Sequence, residues 1–163
     1  MTALRVAPAR VTLRIHLNRL EEWPEAAGLD ARLRRAVEEA VATAGARVSG
    51  EVSVTLLPDE EMRSVNRRFT GQDRATDVLA FDLGRGDRLL GDIYVAPGVA
   101  RRSAVELELS AEEELLRLVI HGALHLLGHD HPAGQERYAS PMFDLQEAVL
   151  RRVRAPGDGP PGD

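Results

Sequence analysis

Four of the chain's five histidines lie within eleven consecutive positions, 121 to 131. His121 and His125 are four residues apart, so on a helix they would share one face, with Cβ atoms about 5–6 Å apart. Both imidazoles could then reach one ion at the roughly 2.0–2.1 Å of a zinc–nitrogen bond. Gly128 permits a sharp turn, because glycine accepts a positive φ without steric cost, and the returning chain can bring His131 to the same ion. Three imidazoles would leave the fourth position for water, which is the arrangement of catalytic zinc sites rather than structural ones.

The histidine spacing equals that of the metzincin proteases, HExxHxxGxxH, except at one position. Where those proteases carry a glutamate as general base, this chain has Gly122. Without that carboxylate the peptidase mechanism lacks its proton acceptor, which disfavours a protease. Because glycine inside a helix is about 1 kcal/mol less favourable than alanine, we hypothesise that Gly122 opens room over the metal for a bulky substrate.

The spacing does not make metal ligands of three further polar residues. Asp130 could accept a hydrogen bond from the second ring nitrogen of a metal ligand, or it could simply stabilise the turn. His129 is not required as a ligand, and we expect it to be a neighbour of the site or exposed. His16 stands alone on a predicted strand and is interpreted as structural.

The overall composition limits the possible protein classes. The chain has 163 residues, of which 44% are hydrophobic and 29% charged, as in soluble globular proteins. A net charge of −5 disfavours a protein that coats nucleic acid by bulk attraction, and the absence of cysteine excludes disulfide scaffolds, thiolate zinc fingers and cysteine nucleophiles. We see neither a signal-peptide pattern nor an apolar run of roughly 18 residues or more, and therefore expect a cytoplasmic protein with no membrane partner.

Hydrophobic periodicity predicts an α+β fold, with a small mixed four-stranded sheet packed with about five helices. The capping-box pattern at Ser110 marks the start of the histidine-bearing helix, and Asp30 and Asp59 are expected to cap two others. Pro97 and Pro141 fit the first turns of two more helices. The predicted strands cover 11–17, 51–58, 77–83 and 89–96, with the last two in a hairpin, and the predicted helices cover 31–45, 60–69, 97–109, 111–128 and 141–153.

The chain shows no internal repeat and no linker that would divide it. We therefore expect one metal-dependent hydrolase domain over residues 11–153, preceded by a flexible N-terminus at 1–10. Residues 154–163 are dominated by Pro, Gly and Asp, a composition that cannot bury a core and predicts a disordered tail.

The histidine segment resembles the signature of the YbeY family of endoribonucleases and ribosomal RNA maturation factors, HGxLHLxGxDH, and residues 121–131 match every fixed position. Residues 66–81 and 90–100 are also similar to stretches of that family, so the resemblance covers roughly 10–153. It implies a zincin-like site with one Zn²⁺ per chain, hydrolysis of single-stranded RNA, and action in 16S rRNA 3′-end maturation and ribosome quality control. The implied partners are ribosomal RNA, the small ribosomal subunit and its assembly factors. The implied catalytic groups are a water on the zinc together with Asp130 and Asp77.

One departure from the family pattern concerns the residue after Phe69, where the family usually has an arginine needed for RNA cleavage and this chain has Thr70. Nearby arginines could substitute, and two on the next predicted helix could extend an RNA-binding patch, although a solvated helix face would give the same pattern. The low aromatic content of 4% argues against extensive base stacking. The candidate RNA-binding residues are Arg67, Arg68, Arg74, Arg101 and Arg102.

Three hypotheses follow from the sequence. The first is a zinc-dependent endoribonuclease that acts on ribosomal RNA. The second is a non-catalytic or weakly catalytic ribosome-assembly factor with a structural zinc, which the threonine at position 70 favours. The third is a metalloprotease, which Gly122 makes the least favoured.

Overall fold

The computed structural model describes residues 12–24, 28–84 and 86–154, and its strands form one four-stranded sheet. The sheet order is β1-β2-β4-β3. Strands β1, β2 and β4 are parallel, and β3 pairs antiparallel with β4 at the edge. The strands are β1 (Leu13–Asn18), β2 (Ser49–Leu56), β3 (Val78–Asp82) and β4 (Arg88–Val95). The sheet is therefore mixed, and together with the helices it confirms the predicted α+β class.

The two faces of the sheet differ because side chains alternate along each strand. On β2, Val52, Val54 and Leu56 are fully or almost fully buried, whereas the residues between them are half-buried. The buried side, here called the inner face, packs against three helices. The opposite side, here called the outer face, is covered only in part.

Five α-helices surround the sheet: α1 (Leu29–Thr43), α2 (Asp59–Thr70), α3 (Pro97–Glu106), α4 (Ala111–Leu126) and α5 (Pro141–Arg154). Helices α1, α4 and α5 contact one another and hold the main core on the inner face. Helix α2 closes a smaller apolar cluster on the outer face, where Met62 packs with Leu57 and Ala96. Two short 3-10 helices, Leu20–Glu22 and Gly134–Ala139, were not predicted from the sequence.

The helix starts test the predicted caps. The hydroxyl of Ser110 accepts a hydrogen bond from the Glu113 amide at 3.3 Å, which confirms this cap, and Pro97 and Pro141 are confirmed in first turns. The two predicted aspartate caps are wrong. Helix α1 begins at Leu29 after Gly28, and α2 begins at Asp59 itself after Pro58. Acidic side chains inside a first turn still favour the helix, because they face its positive end.

The predictions for the chain termini fall almost entirely outside the described residues. Residues 1–10 and 155–163 are not among them. Arg154 is described, and it is the last residue of α5. Among the described residues no helix is long and apolar enough to cross a membrane.

Candidate metal centre

Helix α4 places the first two histidines. Its buried residues pack into the main core, which fixes the rotation of the helix. His121 and His125 then lie one turn apart on the half-buried side that is left, with ring centroids 4.6 Å apart. The i, i+4 spacing therefore places both imidazoles on one face, as the sequence predicts.

A left-handed turn at Gly128 brings the third histidine back to the helix end. The φ of Gly128 is +90°, a conformation that disfavours any side chain. The amide of His129 donates to the carbonyl of Leu124 at 3.0 Å, and the Gly128 amide donates to that of His125 at 3.0 Å. This pair of bonds is a Schellman motif. It reverses the chain so that the His131 ring lies 5.0 Å from the His121 ring, centroid to centroid.

The three Nε2 atoms converge on one point. The Nε2 of His121 is 3.0 Å from that of His125 and 3.3 Å from that of His131. Three zinc–nitrogen bonds of about 2.05 Å at tetrahedral angles would separate the nitrogens by about 3.3 Å. The spacing therefore fits a tetrahedral ion with little movement, and these residues could hold a metal.

Hydrogen bonds at the other ring nitrogens select the tautomer that a metal requires. The Nδ1 of His125 donates to the carbonyl of His129 at 3.0 Å, and the Nδ1 of His131 donates to that of Pro132 at 2.8 Å. The Nδ1 of His121 lies 2.6 Å from Oε1 of Gln146. Because these oxygens accept hydrogen bonds, each Nδ1 carries the proton and each Nε2 presents a lone pair to the centre.

The environment also favours neutral imidazoles. Burial lowers the pKa of His121, against the opposing effect of its hydrogen bond to Gln146. Burial likewise lowers the pKa of His125, and the nearby His131 lowers it further. Three uncharged lone pairs that face one another at this distance repel unless a cation lies between them. The donor set is therefore one that a divalent metal would stabilise.

The open side of the centre faces a cavity of about 490 Å³. Among the described residues, the candidate metal group contains the three histidines and no carboxylate, so a fourth coordination position would point into this space. The walls are contributed by β3, α4, α5 and the loops beside them. They include Asp77, Val78, Ala80, Leu107, Leu109, Leu118, Arg137, Tyr138, Met142 and Phe143.

The two predicted acidic residues lie at different places. Asp77 directly precedes β3 and lines the cavity together with the histidines. Its Oδ1 accepts the Val78 amide at 2.8 Å. Asp130 is exposed, and its Oδ1 accepts the His131 amide at 2.8 Å. Of the two roles considered for Asp130 from the sequence, the structure shows the one in the turn, because all three ligand rings have other partners.

Gly122 lines the cavity beside the histidines, but the space that its side chain would occupy is filled by neighbouring side chains, so the absence of a side chain serves packing and not the opening of room that we hypothesised. A Cβ at this position would lie 2.8 Å from Cγ2 of Ile93 and 3.4 Å from Cγ2 of Val78. Gly122 therefore allows α4 to approach β3 and β4 closely. A glutamate, the general base of the metzincins, would require the Ile93 side chain to move.

Gln146 is a site residue that the sequence analysis missed. It is 5% exposed and lies on α5 between the buried Met142 and Val149. A polar residue within that apolar stripe is the signal that could have revealed it. Its Nε2 lies 3.3 Å from Oε1 of Glu147, and Glu147 in turn binds Arg117 at 2.8 Å. Polar contacts thus connect the Arg117–Glu147 salt bridge through Gln146 to His121.

The predicted RNA-binding arginines lie outside the cavity wall. Arg67, Arg68 and Arg74 are exposed at the end of α2 and in the following loop. On α3, Arg101 lies over the Trp23 ring at 4.3 Å, and Arg102 donates to Asp59 at 2.6 Å. The cavity itself contains two other arginines, at positions 117 and 137.

Replacing Gln146 with methionine is expected to weaken metal binding by about 10–100-fold, because the Nδ1 of His121 would lose the acceptor that orients it. Gln146→Glu keeps an acceptor and should retain most of the affinity. Competition with a chromophoric chelator measures both effects, with the exposed Gln135→Met as the matched control. Equal affinities for Gln146→Met and the wild type would show that this hydrogen bond does not orient the ligand.

The sequence and fold are similar to those of one family. The family model described as Endoribonuclease YbeY matches residues 18–154. The protein named Endoribonuclease YbeY of Sulfurihydrogenibium sp. is 42% identical over 107 residues, which cover 63% of this chain and 70% of the relative. The protein of the same name from Moorella thermoacetica is 37% identical over 148 residues, which cover 83% of this chain and 94% of the relative. The fold is similar to the solution structure of TM1509 from Thermotoga maritima, with a TM-score of 0.60 and 34% sequence identity. The match covers 93% of this chain and 99% of TM1509.

Proposed function

Because the chain belongs to the YbeY endoribonuclease family, and is on that ground a hydrolase that acts on RNA, we propose that it cleaves single-stranded RNA with one zinc ion. The ion would be held by His121, His125 and His131. The observation that carries this proposal is the convergence of three Nε2 lone pairs, 3.0 and 3.3 Å apart, at the wall of an open cavity.

When bound, zinc would polarise a phosphoryl oxygen and lower the pKa of water toward about 7. The chain would supply the remaining functions. Three carboxylates line the cavity, and Asp77 is the one that is not paired with Arg117. Since its Oδ1 is occupied by the Val78 amide, Oδ2 is the atom to accept a proton from the attacking group. Asp130 would act indirectly, by holding the His131 backbone in the turn.

The cavity suits one nucleotide of a flexible strand. Its volume of about 490 Å³ lies within the roughly 300–1,000 Å³ of small-ligand sites. The apolar wall formed by Val78, Leu118 and Met142 would exclude water from around the scissile bond. A base-paired nucleotide could not enter such a space without leaving its helix, which supports a preference for single strands.

The charge distribution supports docking on one side of the protein. Residues 63–74 contain four arginines and one aspartate, whereas residues 106–114 contain five glutamates and no basic residue. RNA would therefore approach from the α2 side. We propose the 3′ end of 16S rRNA as the substrate, in the cytoplasm, during maturation and quality control of the small ribosomal subunit. We also propose residues 11–153 as the catalytic domain.

An assembly factor with weak or no activity is the second candidate, and Thr70 favours it. The Thr70 hydroxyl lies 2.6 Å from Oδ1 of Asn66 at the end of α2, so it is engaged within the helix and carries no charge for a phosphate. A metalloprotease finds no support, because Gly122 packs against Ile93 where the base would stand.

Zinc analysis of the purified protein, paired with a cleavage assay, tests the proposal. We expect about one zinc per chain and cleavage of a labelled single-stranded RNA that a chelator stops and zinc restores, while the same sequence in a duplex stays intact. Zinc-loaded protein that binds small subunits but leaves the RNA intact would select the assembly factor. In that case Thr70→Arg should raise cleavage.

A further inference from the structure

A group of three aromatic rings, one exposed and two half-buried, lies on the outer face of the sheet, away from the metal cavity. Phe69, the penultimate residue of α2, is 60% exposed. Its ring centroid is 4.9 Å from that of Phe81 on β3, and the Phe81 centroid is 5.8 Å from that of Tyr94 on β4. We call Phe69, Phe81 and Tyr94 the aromatic cluster.

The cluster brings together a residue type that is scarce in this chain, with Phe69 on the solvent side of the two half-buried rings. The chain has six aromatic residues in all, and three of them are here. Leu83, just beyond β3, is 58% exposed and extends the apolar surface along the same edge of the sheet. Single exposed apolar residues are common, but a contiguous group with a polar rim marks an interaction surface.

The residues around the cluster favour a nucleic-acid strand as the occupant. The guanidinium of Arg68 lies 5.6 Å from the centroid of the Phe69 ring, and Arg67 is exposed on the same helix. Aromatic faces beside arginines bind single strands by base stacking and charge attraction. On the side of the cluster away from α2, Asp92 on β4 is paired in register with Phe81 and would repel phosphates. The charges therefore place a phosphate backbone toward α2 and a base over the rings.

Strand β3 connects this surface to the metal cavity. Val78 and Ala80 line the cavity on the inner side, while Leu79 and Phe81 point to the outer side, because neighbouring residues of a strand alternate. Since β3 is the edge strand, only the width of this one strand lies between the two surfaces at the edge of the sheet. A flexible RNA strand can pass over this edge and occupy both.

We propose that the aromatic cluster is a second RNA-binding subsite, which stacks one nucleobase of the single-stranded substrate a few nucleotides from the scissile phosphate. This inference rests on the proposed function. It explains how a chain with few aromatic residues and a threonine at position 70 could still retain its substrate. The base would stack on the exposed face of Phe69, which would be held from behind by Phe81.

The test compares Phe69→Ala and Phe69→Trp with the wild type, and uses Val105→Ala as control. Val105 is 79% exposed on α3, outside both surfaces. Removal of one stacking ring should weaken binding of a labelled single-stranded RNA about 5- to 100-fold and raise KM more than it lowers kcat. The tryptophan variant should bind at least as tightly as the wild type. Because Phe69 is exposed, the melting temperature should remain unchanged.

Three readouts distinguish the possible failures: binding of free RNA, cleavage of RNA and affinity for intact small subunits. If the wild type binds and cleaves RNA, and Phe69→Ala does so equally well, the subsite is refuted while the endoribonuclease proposal stands. If the wild type neither binds nor cleaves RNA, both proposals fail. If Phe69→Ala loses only its affinity for intact small subunits and keeps its affinity for free RNA, the cluster contacts a protein and our assignment is wrong.

Discussion

Replacement of His125 with alanine is expected to remove stoichiometric zinc and abolish RNA cleavage. Its Nε2 is 3.0 Å from that of His121, and its Nδ1 is already fixed by the His129 carbonyl. An alanine there leaves two nitrogens, which cannot define a tetrahedral site. The loss of affinity should exceed the about 10–100-fold that follows removal of an outer hydrogen-bond partner. Elemental analysis and the single-stranded RNA assay measure the two effects.

His16→Ala is the matched control for the metal ligand. His16 lies on the outer side of β1 with 56% of its side chain exposed, so its loss should alter neither the zinc content nor cleavage. Circular dichroism should show that both variants are folded, since a structural collapse would mimic the loss of zinc. Full cleavage by His125→Ala would refute the proposed metal centre.

Replacement of Arg117 with leucine is expected to lower the free energy of unfolding by about 3–5 kcal/mol. The guanidinium donates from Nε and one terminal nitrogen to Glu147, at 2.8 and 3.3 Å, and from the other to Glu114 at 2.8 Å. Only 17% of the Arg117 side chain is exposed. Its removal would leave two carboxylates close together and largely desolvated, without their common partner. Urea denaturation measures the change.

Two further variants separate charge pairing from simple loss of packing. Arg14→Leu removes a pair with Glu51 in which the arginine side chain is 70% exposed, and it should change stability little, because solvent screens such pairs. The triple variant Arg117→Leu, Glu114→Gln and Glu147→Gln removes the unpaired charges and should recover part of the loss. If Arg117→Leu alone is as stable as the wild type, this network does not stabilise the fold.

Local signals were sufficient for the helix ends and the histidine geometry. A serine cap, two prolines, a glycine with positive φ and an i, i+4 pair each act over a few residues, so the sequence alone predicts them. The predicted cap at Asp30 is wrong because Gly28, one residue before Leu29, takes the N-cap position, and Asp30 then lies in the first turn. When two possible helix caps lie this close together, the choice between them shifts the start of the helix by a residue or two, and the helix itself still forms.

Long-range contacts account for what the sequence could not predict. Gln146 contacts His121, which is 25 positions away in the sequence. Gly122 is required because Ile93 on β4 packs against it. The periodicity of β4 predicts a strand in a hairpin but does not predict that α4 packs on it. The grouping of Arg101 with Trp23 likewise depends on how α3 packs near the first 3-10 helix. These contacts depend on how the helices and strands pack against one another, which the pattern of a single segment does not reveal.

The position of β3 makes the two walls of the cavity mechanically unequal. In the described part of the chain, β3 is bonded to one neighbour, β4, through five residue pairs, whereas α4 carries the histidines from within the main core. Elements at the margin of a fold open at lower free energy than those at its centre. We therefore expect the cavity wall formed by the histidines and α4 to stay in place, while the wall formed by β3 can move. Such movement would admit RNA strands of different bulk without disturbing the metal ligands.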